Sequence, residues 1–244
     1  MSEPATLRSY AERLSEALPQ VRDQIARAAE VSGRDAGDVR VVAVTKGHPV
    51  EAIRAALDAG LTDLGENRVA ELVGKVDAVG REGVAWHMIG HIQRRKVPDL
   101  LPAVDWIHSV DSMRLAERID RVVDAERAPV DVLVQVNTSG EDAKGGFEGP
   151  RALDDVLAVA ALPALRVRGL MTMAPFVDDE RVLRRAFSAL RRLLDDVRRQ
   201  NPDVGPHLSM GMTNDLRFAV EEGSTMVRIG TALFGARPGT AGGA

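Results

Sequence analysis

VVAVTKGHP, residues Val41 to Pro49, is an apolar, β-branched run that ends abruptly on a lysine, followed by a glycine and by a proline able to open a helix. Four apolar residues in succession, Val41 to Val44, predict a strand buried on both faces, as in a parallel sheet; an antiparallel strand with one wet face would alternate. Lys46 then stands at the carboxyl end of that strand, the edge where ligands bind in open and barrel α/β folds. An ammonium half-desolvated there loses affinity for its proton, and the neutral amine can attack an aldehyde to form a Schiff base. The plainer reading is a lysine whose head snorkels out of a strand end, and only the rest of the chain decides between the two.

Upstream, Leu7, Leu14, Leu18, Val21 and Ile25 recur every three or four residues between Pro4 and Ser32. That is the spacing of one long amphipathic helix before the first strand, with Pro19 the place where it would kink. Downstream, PVEAIRAALDAG sets Pro49 in the first turn of a helix and Gly60 beyond its end. The apolar runs LTDLGEN, VAWHMIG, AVDWIHSV, VDVLVQVN, LRVRGLMTM, PHLSMGM and STMVRIG bring the strand candidates to eight. Helical stretches separate them, among them one from Asp111 or Ser112, either able to cap it, one from Asp179 to Gln200, and TNDLRFAVEEG, closed by Gly223. Eight strands alternating with helices predict an α/β protein: a single (β/α)8 barrel of the TIM type with an extra N-terminal helix, spanning residues 1–236. The chain has 244 residues, against about 250 for that fold. An open doubly wound sheet is the alternative, weakened by the lack of G-x-G-x-x-G after the first strand and of a P-loop lysine motif. GARPGTAGGA has the composition of disorder, so residues 237–244 are expected to form a disordered tail.

Hydrophobic residues make up 45% and charged residues 28%, enough for a sizeable core and a solvated surface. A net charge of -4 argues against a nucleic-acid partner, and the arginines between Arg181 and Arg199 are interrupted by acids and apolar residues, as on a solvated helix face. The absence of cysteine excludes disulfides, thiol nucleophiles and thiolate metal sites. No run approaches 18 apolar residues and the N-terminus lacks a signal-peptide core, so the expectation is a cytoplasmic protein that engages no membrane. The surface helices offer no separable apolar stripe, and a monomer is expected.

In a barrel the residues just past each strand converge on one mouth. Here SMGMT and RIGT place Ser209, Gly211, Thr213, Gly230 and Thr231 after the last two strands, with TALFG able to form a short helix. Barrels frequently hold a phosphate at that place; two ordinary glycine turns are the other reading. A Schiff-base lysine opposite a phosphate cup describes a site for pyridoxal 5′-phosphate (PLP). His87 and His91 form H-x-x-x-H across a strand end with no obvious third ligand, so no metal is expected and His87 reads as a satisfied core or pocket histidine. Glu66 and Asn67 could bind a cofactor or cap the helix expected from Arg68, and Met171, Met173, Met210 and Met212 could line a pocket wall.

The segments AVTKGHPVEAI, DLGENRVAE, WHMIGHIQRRK, DWIHSVD, VLVQVNTSGEDAKGGF, LRVRGLMTM, LSMGMTND and GSTMVRIGTALFGAR cover nearly the whole chain from the first strand onward. Together they resemble the pyridoxal phosphate homeostasis proteins, relatives of the amino-terminal barrel of alanine racemase (fold type III among PLP proteins). The resemblance implies a PLP aldimine on Lys46, with Asn67 near the ring and Arg228 facing the pyridine nitrogen. It also implies a phosphate cradled by Ser209, Gly211, Gly230 and Thr231. Arg95, Gly145 and Thr213 depart from the family's usual Asn, Ser and Ser, and Thr213 keeps the hydroxyl.

An arginine facing the pyridine nitrogen keeps it unprotonated and leaves the cofactor a weak electron sink, which suits racemase-like chemistry or none. Racemisation needs acid and base groups on both faces of the substrate carbon, and Lys46 supplies one. In the racemase this chain resembles, the other is a tyrosine from a further domain; here the single tyrosine, Tyr10, lies in the leading helix. The expectation is therefore a non-catalytic PLP-binding protein that buffers or delivers the cofactor, with PLP-dependent apo-enzymes as candidate recipients. The alternatives are a PLP-dependent amino-acid racemase or lyase, with its second base from His87 or an acid, a cofactor-free lysine aldolase, and a scaffold in which Lys46 is incidental.

Overall fold

Eight parallel strands close on themselves in a computed structural model that describes residues 5–123, 128–141 and 144–237. They are β1 (Arg40–Val44), β2 (Asp63–Glu66), β3 (Ala85–Met88), β4 (Trp106–Val110), β5 (Val130–Gln135), β6 (Leu165–Met171), β7 (His207–Ser209) and β8 (Met226–Ile229). Each falls in one of the apolar runs, except that β1 begins one residue earlier, at Arg40. Closure is made by β1 against β8, from Arg40↔Met226 to Ala43↔Ile229, which rules out the open sheet. The helices are α1 (Ala5–Val31), α2 (Val50–Asp58), α3 (Val69–Val79), α4 (Val97–Leu100), α5 (Met113–Val122), α6 (Ala152–Ala160), α7 (Glu180–Gln200), α8 (Leu216–Glu221) and α9 (Thr231–Phe234).

Alternation along each strand sorts side chains into two layers. Outward-facing Ala43, Leu64, Val227 and Ile229 pack with Leu14, Leu18, Val21 and Ile25 of α1, whose three- or four-residue spacing is thereby explained. Inside the barrel Trp106, Leu133, Met171 and Met226 form a separate cluster. The extra helix α1 lies on α2, α8 and α9. It runs unbroken through Pro19, whose missing N–H would have served the carbonyl of Ser15; both residues are exposed, so water can take that bond.

Two helices end as their glycines suggest. At α2, Gly60 has φ +80°, and Gly60 N–H and Leu61 N–H donate to Leu57 O and Ala56 O, both at 2.9 Å. At α8, Gly223 (φ +105°) and Ser224 repeat the pattern onto Val220 O and Ala219 O.

Helix starts differ from expectation. Pro49 precedes α2 as its N-cap instead of lying in the first turn. Ser112 stands at the N-cap of α5, but its hydroxyl donates to Asp111 Oδ1 at 3.1 Å and caps no amide. Helix α3 begins at Val69 with Arg68 at its N-cap, so neither Glu66 nor Asn67 caps it. The expected tail lies outside the described residues, apart from Arg237. Among those residues no helix is long and apolar enough to cross a membrane.

Candidate functional site

The inward face of β1 carries Val42 and Val44, since a Cβ on Gly65 of β2 would meet their side chains at 2.9 and 3.5 Å. Lys46 continues that alternation at the barrel mouth and is half-buried. Burial, then the positive charges of Arg237 and Arg228, hold its ammonium below the ordinary value of 10.5; Glu66 and Glu71 oppose them. The backbone beyond turns at Gly47 (φ +73°), whose N–H donates to Glu71 Oε1 at 2.6 Å. Arg237 lies against this glycine, leaving no room for a Cβ.

A buried polar knot holds the backbone on either side of Lys46, at Thr45 and Gly47, from the outer side of the sheet. Thr45 Oγ1 donates to Glu66 Oε1 at 2.5 Å, and Lys75 Nζ of α3 donates to Glu66 Oε1 (2.7 Å), Glu71 Oε1 (2.8 Å) and Thr45 O (2.8 Å). Burial pushes the Glu66 carboxyl up despite Lys75, and among the described residues its Oε2 has no hydrogen-bond partner. Lys75 is missing from the sequence reading because a lysine in an amphipathic helix reads as solvated. The available signal was a glutamate inside the apolar run of β2.

Arg228 of β8 points into the barrel and is 5% exposed. Its Nη1 donates to Ser209 O (2.8 Å) and Ser209 Oγ (2.6 Å), and Nη2 to Thr172 O (2.9 Å). Burial pushes the guanidinium down to about 10 against the pull of Asp215, so it is still cationic at neutral pH. Ser209 Oγ in turn meets His108 Nδ1 (2.9 Å), His108 Nε2 meets His87 Nδ1 (2.9 Å), and His87 Nε2 meets Asp63 Oδ1 (3.0 Å). His87 is thus a fully buried histidine with both ring nitrogens partnered, while His91 is 73% exposed and paired with Asp111. The methionines divide: Met171 and Met173 face the barrel interior, Met210 turns outward under the helices, and Met212 is exposed. Alternation accounts for Met210, which lies one residue beyond inward-facing Ser209.

The loops after β7 and β8 reach the same mouth. Gly211 has φ +98°, and a Cβ there would stand 2.5 Å from that of Ala219. Gly230 is the N-cap of α9 and lies against Val44 of β1, while Thr231, the first residue of α9, is exposed. Asn67, past β2, has its backbone pressed by Gly90, where a Cβ would come within 2.8 Å of Asn67 Cα. Lys46, Asn67, Gly211, Arg228, Gly230 and Thr231 therefore lie at the carboxyl ends of β1, β2, β7 and β8, which are contiguous around the barrel. Ser209, also at the end of β7, has its hydroxyl turned into the interior.

Residues 17–238 match the family described as alanine racemase, N-terminal domain. A protein of Aquifex aeolicus named pyridoxal phosphate homeostasis protein is 40% identical over 223 residues, covering 91% of this chain and 97% of its own. The chain belongs to this family of pyridoxal phosphate homeostasis proteins. A member from Escherichia coli K12 is 40% identical over 226 residues, 90% of this chain and 95% of that one. Among solved structures, PipY of Synechococcus elongatus PCC7942 with PLP bound superposes with a TM-score of 0.77 at 34% identity, covering 86% of this chain and all of that one. Alanine racemase of Clostridium difficile, 15% identical with a TM-score of 0.76 over 94% of this chain and 61% of its own, shares the fold.

Proposed function

We propose that the chain binds PLP at the carboxyl-terminal mouth of its barrel, attached through Lys46, and holds and delivers it in the cytoplasm as a monomer without catalytic turnover. The observation that carries this reading is the half-buried Lys46 amine, whose proton affinity is lowered by burial and by Arg237 and Arg228. The residues present fit the group. An amine past the end of one strand stands with a buried guanidinium, cationic at neutral pH, on the adjacent strand. When bound, PLP supplies an aldehyde for the amine, a dianionic phosphate and a pyridine nitrogen. Lys46 would hold the aldehyde carbon, Arg228 would face the ring nitrogen and disfavour its protonation, Asn67 would border the ring, and Gly211, Gly230 and Thr231 would take the phosphate. Ser209, expected in that cradle, is assigned instead to holding Arg228, because its hydroxyl is engaged on the inner side. A relative solved with PLP bound supports the choice of ligand.

Absence of turnover is supported by the single tyrosine. Tyr10 OH contacts His48 Nδ1 at 3.0 Å, and burial together with Glu51 raises its pKa, so it keeps its proton where a second base would have to lose one. The test is an absorption spectrum of the purified protein with added PLP, before and after borohydride, with peptide mapping of the adduct. A yellow protein whose adduct maps to Lys46 is expected, with no interconversion of amino-acid enantiomers. A colourless protein would overturn the cofactor reading, and enzyme-like racemisation would overturn the non-catalytic one in favour of the racemase alternative.

A further inference from the structure

The interior of the barrel holds a hydrogen-bonded chain that the binding of PLP does not by itself require. It runs Arg228, Ser209, His108, His87, Asp63, crossing from β8 to β7, β4, β3 and β2, with every contact between 2.6 and 3.0 Å. His87, His108 and Ser209 are fully buried or nearly so, and Asp63, with a side chain 20% exposed, is the member nearest water. It lines a cleft of about 460 Å³ between α1 and the amino-terminal ends of β1 and β2, at the opposite end from Lys46.

Donor counting fixes the direction of the chain. A guanidinium only donates, so Ser209 Oγ accepts from Arg228 and is free to donate its own hydrogen to His108 Nδ1. His108 then carries its proton on Nε2 and donates to His87 Nδ1, and His87 carries its proton on Nε2 and donates to Asp63 Oδ1. Every member is satisfied with both imidazoles neutral, and the chain ends on a carboxylate able only to accept. Reversing one tautomer would leave the Ser209 hydroxyl hydrogen without an acceptor, or set two N–H groups face to face. The charged and titratable groups around the histidines are Asp63 of β2, Arg40 of β1, His207 of β7 and Arg228 of β8. Burial, reinforced by the positive charge of Arg228, holds His108 well below the ordinary histidine value, in agreement with a neutral ring.

We propose that Asp63, His87 and His108 are positioning residues: by ordering the protons of the chain they fix Ser209 as an acceptor for Arg228 and so set the guanidinium at the cofactor ring. The assignment rests on the PLP reading above.

Two measurements test it. Long-range ¹H–¹⁵N spectra of the imidazoles in protein without added PLP should show His87 and His108 neutral, each protonated on Nε2. A charged His108, or one protonated on Nδ1, would overturn the ordering whatever the protein binds. In His108→Gln, confirmed as folded by circular dichroism, the dissociation constant for PLP should rise about tenfold, the scale of one hydrogen bond to a charged group. Its visible absorption band should also become pH-dependent across the neutral range, where that of the parent is flat. Should the buried variant fail to fold, Asp63→Asn, which changes the partly exposed end of the chain, should show the same pH-dependent band. Unchanged affinity and an unchanged band in a folded variant would overturn the assignment alone. A parent protein that takes up no PLP would bring down the cofactor reading and this assignment together.

Discussion

Thr231 begins α9 at the mouth, and Thr231→Val deletes its hydroxyl while keeping its shape. Loss of one donor to a phosphate should weaken PLP retention by about 1 to 3 kcal/mol, read as a shift in equilibrium dialysis. Retention equal to the parent's would remove Thr231 from the phosphate cradle. Lys75→Met acts on the other side of β1. It leaves Glu66, fully buried, with Thr45 as its remaining partner, and such stranded charges cost about 3 to 5 kcal/mol. The urea midpoint should drop accordingly, and a drop no larger than that of an exposed lysine would show the knot to be dispensable. The place of Lys46 at a strand end was legible in the sequence, because the apolar run of β1 stops just before it. His108 and Asp63 were not, because their partners lie 21 to 101 residues away, and Lys75 was not, because its burial depends on Thr45 of the strand before, 30 residues away.

Strand β6 shows what element-level reading reaches and where it stops. The run LRVRGLMTM was recognisable as a strand, but the register changes where Val132 pairs with Val167 and Leu133 with Gly169, leaving Arg168 as an extra residue. Gly169 sits there with φ +146°, and a Cβ would fall on the carbonyl of His207. Gly169→Ala should therefore destabilise the protein by about 3 kcal/mol or more, through strain and backbone collision together. A melting temperature within a degree or two of the parent's would refute it. Apolar patterning specifies that a strand exists; it does not specify its bulges, which depend on how closely the neighbouring backbone approaches. Likewise Asp111 and Ser112 have the chemistry of helix caps, and tertiary partners claim them first: His91 takes Asp111, and Asp111 takes Ser112.

For the molecule as a whole, burial lowers the proton affinity of three histidines, His48, His108 and His207, below the ordinary 6.5. A group with a depressed folded-state pKa binds fewer protons folded than unfolded, so its stabilisation is complete above 6.5 and is lost as pH falls through the folded value. Unfolding free energy from urea titrations should therefore decline from about pH 6.5 downward, by up to about 1.4 kcal/mol per pH unit for each proton taken up. Asp63 and Glu71, both held below ordinary carboxylate values, extend the decline below about pH 4. A profile flat between pH 7 and about pH 5 would mean the interior imidazoles take up protons as they do in the unfolded chain, against the neutral His108 inferred above. Finally, the barrel closes at the seam between β1 and β8, and the proposed site spans that seam, with Lys46 just past β1 and Arg228, Gly230 and Thr231 in or just past β8. A ribosome making this protein therefore delivers the reactive amine long before the guanidinium that faces it. Lys46 and Arg228 cannot be brought together until β8 has been made, so a site that uses both cannot form on the earlier part of the growing chain.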